Sequence, residues 1–192
     1  MRVYAPERVE TDRLLLRRPV EADAEAIFTR YSSDPDVTRY VGFPRHQRIE
    51  DTLAFLQFSE SQWAKWPAGP YLIESRDTQV VLGSSGLTFD TPTDAATGYV
   101  LARDAWGRGY ATEALAAMVG VARACGVHRL YALCHHDHRA SARVLEKGGF
   151  TLERVLRRYA VFPNLAGGER ADVLCYAVIL ENLSGTEGEM RS

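Results

Sequence analysis

The chain has 192 residues, of which 46% are hydrophobic and 25% are charged, and its formal net charge at pH 7 is -2. We predict a single domain over residues 1–192, with a core from about residue 10 to about residue 180 and a polar C-terminal tail. The small net charge argues against nucleic acid as a partner, and no apolar run is long enough to cross a bilayer.

The cysteines and the N-terminus indicate the compartment. Cys125, Cys134 and Cys175 have apolar neighbours and form no Cys-x-x-Cys pair, so we interpret them as reduced core thiols. Residues 1–11 contain charged residues and no apolar run, which argues against an ordinary secretory signal. We therefore expect a cytoplasmic protein.

Hydrophobic periodicity and chain breakers predict alternating strands and helices. The predicted strands cover residues 14–18, 71–75, 80–89, 97–102, 129–134, 151–162 and 171–180. Helices are predicted to begin near Glu21, near Glu50 and at Ala111, with a short fourth helix over Arg139–Lys147 and a helical turn over residues 36–41. The helix between residues 102 and 129 makes a β-α-β crossover, which favours parallel pairing of the strands on either side of it.

The stretch over residues 97–126 reads as a strand, a glycine loop and a helix. Gly107 and Gly109 have no Cβ, so the loop can turn tightly and let a phosphate approach the backbone. The first turn of the helix adds unpaired N–H groups and the positive end of the helix dipole. We interpret this loop as a pyrophosphate cradle formed by Gly107, Arg108, Gly109, Tyr110, Ala111 and Thr112.

The loop differs from two other phosphate-binding motifs. It lacks the lysine of a P-loop, and Thr112 stands at the third glycine position of a dinucleotide-binding motif. A glycine pair before a helix also occurs as a simple tight turn. A second segment is therefore needed to decide the function.

Three histidines, His135, His136 and His138, stand within four residues. Neighbouring histidines in a loop rarely converge on one ion, and the chain has no His-x-x-x-His or His-Glu-x-x-His sequence. We therefore predict no metal site.

The second segment is the ten residues 141–150, Ser-Ala-Arg-Val-Leu-Glu-Lys-Gly-Gly-Phe, about thirty residues after Trp-Gly-Arg-Gly-Tyr-Ala-Thr-Glu-Ala at 106–114. In this order and at this separation, the two segments closely resemble the GNAT superfamily of acyl-CoA-dependent N-acyltransferases. The branch that looks nearest contains the ribosomal-protein N-terminal acetyltransferases. The resemblance extends from Glu10 to Leu180. It implies an α/β (α+β) fold with a mixed, mostly antiparallel central sheet flanked by helices.

The resemblance also implies an activity. An acetyl group would move from acetyl-CoA to a primary amine by direct attack on the thioester. The amine could belong to a protein N-terminus, a peptide or a small molecule such as an amino-acid derivative or an antibiotic. By the same likeness, Asn164, the loop over residues 167–170 and the loop around His46 would form walls of the acceptor site. We expect a monomer or a homodimer.

In the family, the cradle binds the CoA pyrophosphate through backbone amides. The strand over residues 97–102 would separate from the strand over residues 129–134 and pair its backbone with the pantetheine arm. An N–H near Leu101 would polarise the thioester carbonyl, and Ser141 would hydrogen-bond the CoA sulfur or protonate the leaving thiolate. The resemblance thus assigns cofactor binding to the cradle and to Val100, Leu101, Ala102, His138 and Ser141.

Three positions depart from the family pattern. Trp106 replaces Gln or Arg at the head of the cradle, and His138 replaces the usual Asn, although an imidazole can still donate one hydrogen bond. Leu145 stands where many members have a Tyr that acts as the general acid. Ser141 therefore remains the candidate acid, and the alternative role of Ser141 is to cap the helix.

The identity of the general base is not decided by the resemblance, because Ala96 and Ala160 occupy positions where relatives carry carboxylates. An amine nucleophile must lose a proton before attack. We predict Glu74 as a catalytic base, with Asp90 as an alternative, each acting through water, and a route in which water alone carries the proton is equally consistent. The missing carboxylates also leave open a non-catalytic acyl-CoA-binding sensor. A nucleotide-binding domain that uses the same glycine loop is a further alternative.

Overall fold

The computed structural model describes residues 4–181, and its centre is an eight-stranded mixed sheet. The strands are β1 (Arg8–Glu10), β2 (Leu14–Arg17), β3 (Pro70–Ser75), β4 (Val81–Phe89), β5 (Asp94–Leu101), β6 (Arg129–His135), β7 (Thr151–Val161) and β8 (Arg170–Ile179). Their spatial order is β1-β2-β3-β4-β5-β6-β8-β7. Neighbouring strands pair antiparallel except for β5 and β6, which are parallel. The predicted mixed, mostly antiparallel sheet is confirmed.

Helices cover the sheet. They are α1 (Ala24–Ile27), α2 (Ile49–Lys65), α3 (Tyr110–Ala124) and α4 (Arg139–Lys147). A 3-10 turn at Glu21–Asp23 precedes α1, and a π turn at Phe28–Ser32 follows it. The start of α2 is fixed by Asp51, whose carboxylate accepts the N–H groups of Gln47 and Arg48 at 2.8 and 3.1 Å.

The sheet has a hydrophobic core on each face. Leu101 packs in the same cluster as Leu115 of α3, whereas its neighbour Val100 packs in the cluster that contains Ile27 of α1 and Leu56 of α2. This division follows from the alternation of side chains along a strand. The C-terminal end of β5 is therefore held between helices on both sides.

Gly83 allows β4 and β5 to approach closely beside Leu101, its partner across the ladder. A Cβ on Gly83 would lie 2.0 Å from the carbonyl oxygen of Val100 and 2.9 Å from Cα of Leu101. Any side chain at position 83 would push β5 away from β4. Gly83 thus helps to set the position of the end of β5.

The structure differs from the sequence prediction in three segments. β1 was not predicted, because its three residues include charges at both ends and no apolar run. β5 begins at Asp94, three residues before the predicted start at residue 97. The predicted helical turn over residues 36–41 is wrong, since that segment forms turns. There the Thr38 N–H donates to Asp34 O at 3.0 Å and the Val41 N–H donates to Thr38 O at 3.2 Å, and these separate turns do not continue as a helix.

Within residues 4–181, no helix combines the length and apolar character needed to span a membrane. The predicted polar tail over residues 182–192 lies outside the described residues. The prediction of a single domain over residues 1–192 includes both undescribed ends, and it stays a prediction.

Candidate active site

β5 and β6 diverge beyond their first three residue pairs. Residues 94–96 pair with residues 129–131. From there β5 continues along β4 as far as Leu101, and β6 continues along β8 as far as His135. Among the described residues, no ladder pair joins β5 to β6 past Ala96. A wedge-shaped gap therefore opens between the C-terminal ends of the two parallel strands.

Backbone groups of β5 are directed into this gap. Ala102 N–H donates to the Leu82 carbonyl of β4 at 2.7 Å. Because hydrogen-bonding groups alternate along an antiparallel ladder, the N–H and C=O groups of Tyr99 and Leu101 are directed away from β4. The Leu101 carbonyl accepts the indole N–H of Trp106 at 2.8 Å. Trp106 thus anchors the end of the strand while the Leu101 N–H is directed into the gap.

The predicted cradle lies where the chain enters α3. Gly107 and Gly109 have φ values of 71° and 81°, a left-handed conformation that disfavours side chains. A Cβ on Gly107 would meet no heavy atom within 4 Å, so the loop is open on its outer side. The first intrahelical bond runs from Glu113 N–H to Gly109 O at 3.1 Å. The N–H groups of residues 110–112 precede that bond, as expected of an anion-binding helix start.

Arg13, in the turn between β1 and β2, holds the cradle in place. Its guanidinium binds the Glu113 carboxylate at 2.7 Å and the Arg108 carbonyl at 2.9 Å. Hydrogen bonds from Thr11 and Arg13, together with the guanidinium charge, keep the pKa of Glu113 low against the opposing effect of burial, so Glu113 is ionised at neutral pH. Sequence reasoning missed this pair, because the two residues are 100 positions apart.

α4 forms the other side of the gap and carries Ser141. The helix begins at Arg139 with His138 in the N-cap position, and Ser141 is its third residue. The Ser141 hydroxyl lies 3.0 Å from the Tyr99 hydroxyl of β5. Its bond to Tyr99 therefore differs from the capping role that the sequence left as an alternative. Leu145 is only 1% exposed and packs in the core.

A cluster of three rings, Tyr40, His135 and His138, lies at the C-terminal end of β6. The Tyr40 ring stacks on the His135 and His138 rings with centroid distances of 4.9 Å each. Burial and then the neighbouring His135 lower the pKa of His138, and burial and then His136 lower the pKa of His135. Both imidazoles are therefore neutral at pH 7, and a neutral imidazole both donates and accepts one hydrogen bond.

Asn164 joins two of the loops predicted as acceptor-site walls. Its side chain donates to the carbonyls of Thr38 and Phe43 at 2.7 and 2.9 Å and accepts the Arg45 N–H at 2.8 Å. The β7–β8 loop also borders an open pocket of about 540 Å³, which includes His136 and Phe162 at its edge. The His46 side chain lies inward, with Nδ1 2.8 Å from the Thr52 hydroxyl. The loop that contains Asn164 and the loop around His46 are therefore in contact, and the His46 ring is part of the interior; their role as acceptor-site walls stays a prediction.

The structure does not bring the two predicted carboxylates to the gap. Glu74 lies on β3, two strands and about 10 Å from β5, and its carboxylate binds Arg17 at 2.6 Å. Asp90 lies in the turn before β5, at the closed end of the gap, where it accepts the Tyr131 hydroxyl at 2.6 Å. The catalytic role of Glu74 stays a prediction, and its position indicates a structural ion pair.

A group of possible metal ligands shares His135 with the ring cluster. One ligand atom each from His135, His136 and Asp137 lie within 4.8 Å of one another. However, Nδ1 of His135 accepts the Asp137 N–H at 3.1 Å, so this nitrogen already has a backbone donor. The expectation that the protein needs no metal stays a prediction.

Comparison with known proteins identifies the family of this chain. The acetyltransferase (GNAT) domain family model matches residues 13–151. A Bacillus subtilis (strain 168) protein, described as the uncharacterized N-acetyltransferase YoaA, is 36% identical over 159 residues, which cover 79% of this chain and 86% of that protein. The chain therefore belongs to the GNAT acetyltransferase family, as the two sequence motifs predicted.

Solved structures share the fold. A RimL ribosomal L7/L12 α-N-protein acetyltransferase, in complex with coenzyme A, has a TM-score of 0.80 and 24% identity, covering 91% of this chain and 98% of that chain. The microcin C7 self-immunity acetyltransferase MccE, in complex with acetyl-CoA and AMP, has a TM-score of 0.79 and 20% identity, covering 93% and 99% of the two chains. At these identities the likeness establishes the fold alone.

Proposed function

We propose that this protein transfers an acetyl group from acetyl-CoA to a primary amine by direct attack of the amine on the thioester. The observation that carries the proposal is the divergence of β5 and β6 next to a helix that begins at two left-handed glycines. An extended thioester arm fits between separated strands, and a diphosphate fits the start of a helix. Family membership and the two CoA-bound structures with the same fold support this reading.

The cofactor side uses backbone groups. The cradle, from Gly107 to Thr112, binds the pyrophosphate through N–H groups, and the positive end of the α3 dipole adds to the attraction. The pantetheine arm lies along β5 and hydrogen-bonds the backbone near Val100, Leu101 and Ala102. The N–H of Leu101 donates to the thioester oxygen, where negative charge develops during attack.

The leaving group is handled from α4. The Ser141 hydroxyl donates a hydrogen bond to the CoA sulfur as the thiolate leaves, and His138 donates one hydrogen bond to the pantetheine arm. Since Glu74 is bound by Arg17, we assign the amine proton to water in the gap. The neutral imidazole of His138 offers an acceptor at the same end of the gap, whereas the acceptor nitrogen of His135 is already used by the Asp137 N–H.

The acceptor enters from the side of Tyr40 and the loop that contains Asn164. Proteins with this fold include enzymes named for a ribosomal protein and for spermidine, so the fold accommodates amines of very different size. The acceptor is accordingly a protein N-terminus, a peptide or a small-molecule amine. We retain the expectations of a cytoplasmic monomer or homodimer that needs neither nucleic acid nor a metal.

The test is a screen for thiol release from acetyl-CoA with peptides, free amino acids, polyamines and amine-bearing antibiotics. We expect at least one amine class to raise thiol release above hydrolysis, with an acetylated product of the matching mass. Ser141→Ala should lower turnover more than it weakens acetyl-CoA binding. Ser61→Ala, an exposed serine on α2, is the matched control and should leave both unchanged.

Two outcomes would contradict the proposal in different ways. Thermal stabilisation by acetyl-CoA without thiol release from any amine would indicate a sensor module. Stabilisation by ATP or NAD but not by acetyl-CoA would indicate a nucleotide-binding domain, since a ligand of the native state stabilises by RT ln(1 + [L]/Kd).

A further inference from the structure

We propose that Tyr99 is a positioning residue that directs the proton of the Ser141 hydroxyl toward the CoA sulfur. This inference rests on the proposed function and adds a residue that the two sequence motifs do not contain. Tyr99 belongs to β5, on one side of the gap, and Ser141 belongs to α4, on the other side. The Tyr99 hydroxyl lies 3.0 Å from the Ser141 hydroxyl and 3.1 Å from the Ser141 carbonyl oxygen.

The two distances allow two hydrogen-bond arrangements. A carbonyl oxygen only accepts, and the phenol has one proton to donate. If Tyr99 donates to the Ser141 carbonyl, the Ser141 hydroxyl can donate back to the phenol oxygen, and its proton is then directed away from the gap. If Tyr99 donates to the Ser141 hydroxyl oxygen, the proton of Ser141 is free for a third group. Charge on a nearby sulfur favours the second arrangement, because hydrogen bonds to ionised acceptors are stronger.

The phenol acts in this scheme as a permanent donor. Burial raises the pKa of Tyr99 to about 12, although the hydrogen bond with Ser141 opposes this effect. An ordinary thiol has a pKa of about 8.5, so complete proton transfer from Tyr99 to the thiolate is disfavoured by roughly three orders of magnitude. The O–H bond of Tyr99 does not break. The phenol O–H only rotates, so that it donates to the Ser141 hydroxyl oxygen instead of the Ser141 carbonyl oxygen. Its contribution is therefore orientation.

A second tyrosine provides a matched comparison. Tyr176 of β8 also ties α4 to the sheet, through a hydrogen bond of 2.9 Å from its hydroxyl to the Glu146 carboxylate. Burial, followed by Glu146, raises the pKa of Tyr176 to about 12 as well. Both phenols thus anchor the same helix, but of the two only Tyr99 is bonded to the Ser141 hydroxyl. A purely structural role of the hydroxyl would make the two Phe variants behave alike.

The experiment compares Tyr99→Phe with Tyr176→Phe, using acetyl-CoA and any amine that the screen identifies. We expect Tyr99→Phe to lower kcat about tenfold with the KM for acetyl-CoA within about twofold, and Tyr176→Phe to leave kcat unchanged. In a Ser141→Ala background, Tyr99→Phe should have no further effect on kcat, because the two hydroxyls act as one unit. The deficit of Tyr99→Phe should also grow as the leaving thiol of the acetyl thioester becomes less acidic.

A variant that keeps the side-chain shape gives a second measurement. Replacing Tyr99 by 3,5-difluorotyrosine makes the phenol more acidic. In the pH profile, the kcat of the substituted protein should therefore begin to fall at a lower alkaline pH than the kcat of the wild type. Melting temperatures of both Phe variants, measured in parallel, report folding.

Equal loss of kcat in Tyr99→Phe and Tyr176→Phe, or effects of Tyr99→Phe and Ser141→Ala that simply multiply, would overturn the role of Tyr99. These results differ from a failure of the proposed function, in which the wild-type protein itself releases no thiol with any amine. An unchanged alkaline limb in the fluorinated protein would also refute the orientation of Ser141 by the phenol.

Discussion

A substitution at Gly109 tests the cradle most directly. Gly109 occupies the N-cap position of α3 with φ at 81°, where a residue with a Cβ costs about 1–2 kcal/mol. A Cβ there would lie 3.3 Å from a guanidinium nitrogen of Arg13. Arg13 is already paired with Glu113, so it cannot fully neutralise a second carboxylate.

The electrostatic effect of Gly109→Glu on a bound diphosphate can be estimated. A carboxylate about 5 Å from one phosphate charge gives a repulsion of about 3 kcal/mol at an effective dielectric constant near 20. This free energy corresponds to a roughly 100-fold weaker affinity. The neutral variant Gly109→Gln has the same backbone strain and nearly the same size, so the ratio of the two dissociation constants isolates the charge.

Calorimetric titration of each variant with acetyl-CoA provides the assay. Gly126 is the matched control, because it has φ at 77° at the opposite end of the same helix, and Gly126→Gln should lose stability without losing affinity. Gly109→Glu should bind roughly 100-fold more weakly than Gly109→Gln, and the ratio should shrink as salt is added. Wild-type affinity in Gly109→Glu would show that the diphosphate lies elsewhere and would refute the cradle.

Two further predictions concern stability. Arg17→Met leaves the partly buried Glu74 carboxylate without its cation. It should lower the free energy of unfolding by about 2 kcal/mol, which is less than the loss expected for a fully buried pair. Arg8→Met removes the cation of an exposed pair and should show no measurable change in urea denaturation. Burial lowers the pKa of His46 in the folded protein, although Asp51 opposes this, so the unfolded chain binds the extra proton and stability should fall as the pH drops below about 6.5. The urea midpoint of His46→Gln should depend less on pH between 7 and 5 than that of the wild type, and equal slopes would contradict this assignment.

The position of Glu74 bears on how the amine loses its proton. Its carboxylate and that of Asp23 both bind Arg17, at 2.6 Å each, in a network that joins β2, β3 and the turn before α1. Glu74 therefore contributes to the stability of the fold. Its removal should lower the free energy of unfolding and leave the pH profile of turnover largely unchanged. A half-buried neutral imidazole, that of His138, instead stacks on Tyr40 at the start of α4.

The sequence by itself predicted the features that depend on short-range chemistry. Gly107 and Gly109 predicted the tight turn before α3, where both have the positive φ that disfavours side chains. The β-α-β order predicted the parallel pair, and the two motifs predicted the family. The helical turn over residues 36–41 was wrong, since the Thr38 N–H bonds to Asp34 O and the Val41 N–H bonds to Thr38 O in separate turns that do not continue as a helix.

The tertiary structure alone decided which distant side chains meet. Tyr99 and Ser141 are 42 positions apart, and the Arg13–Glu113 pair spans 100. Such contacts depend on strand register and on the rotation of each helix against the sheet, and no local pattern of residue types records either quantity. The same reason explains Glu74: its residue type suited a base, but the register of β3 placed its carboxylate against Arg17.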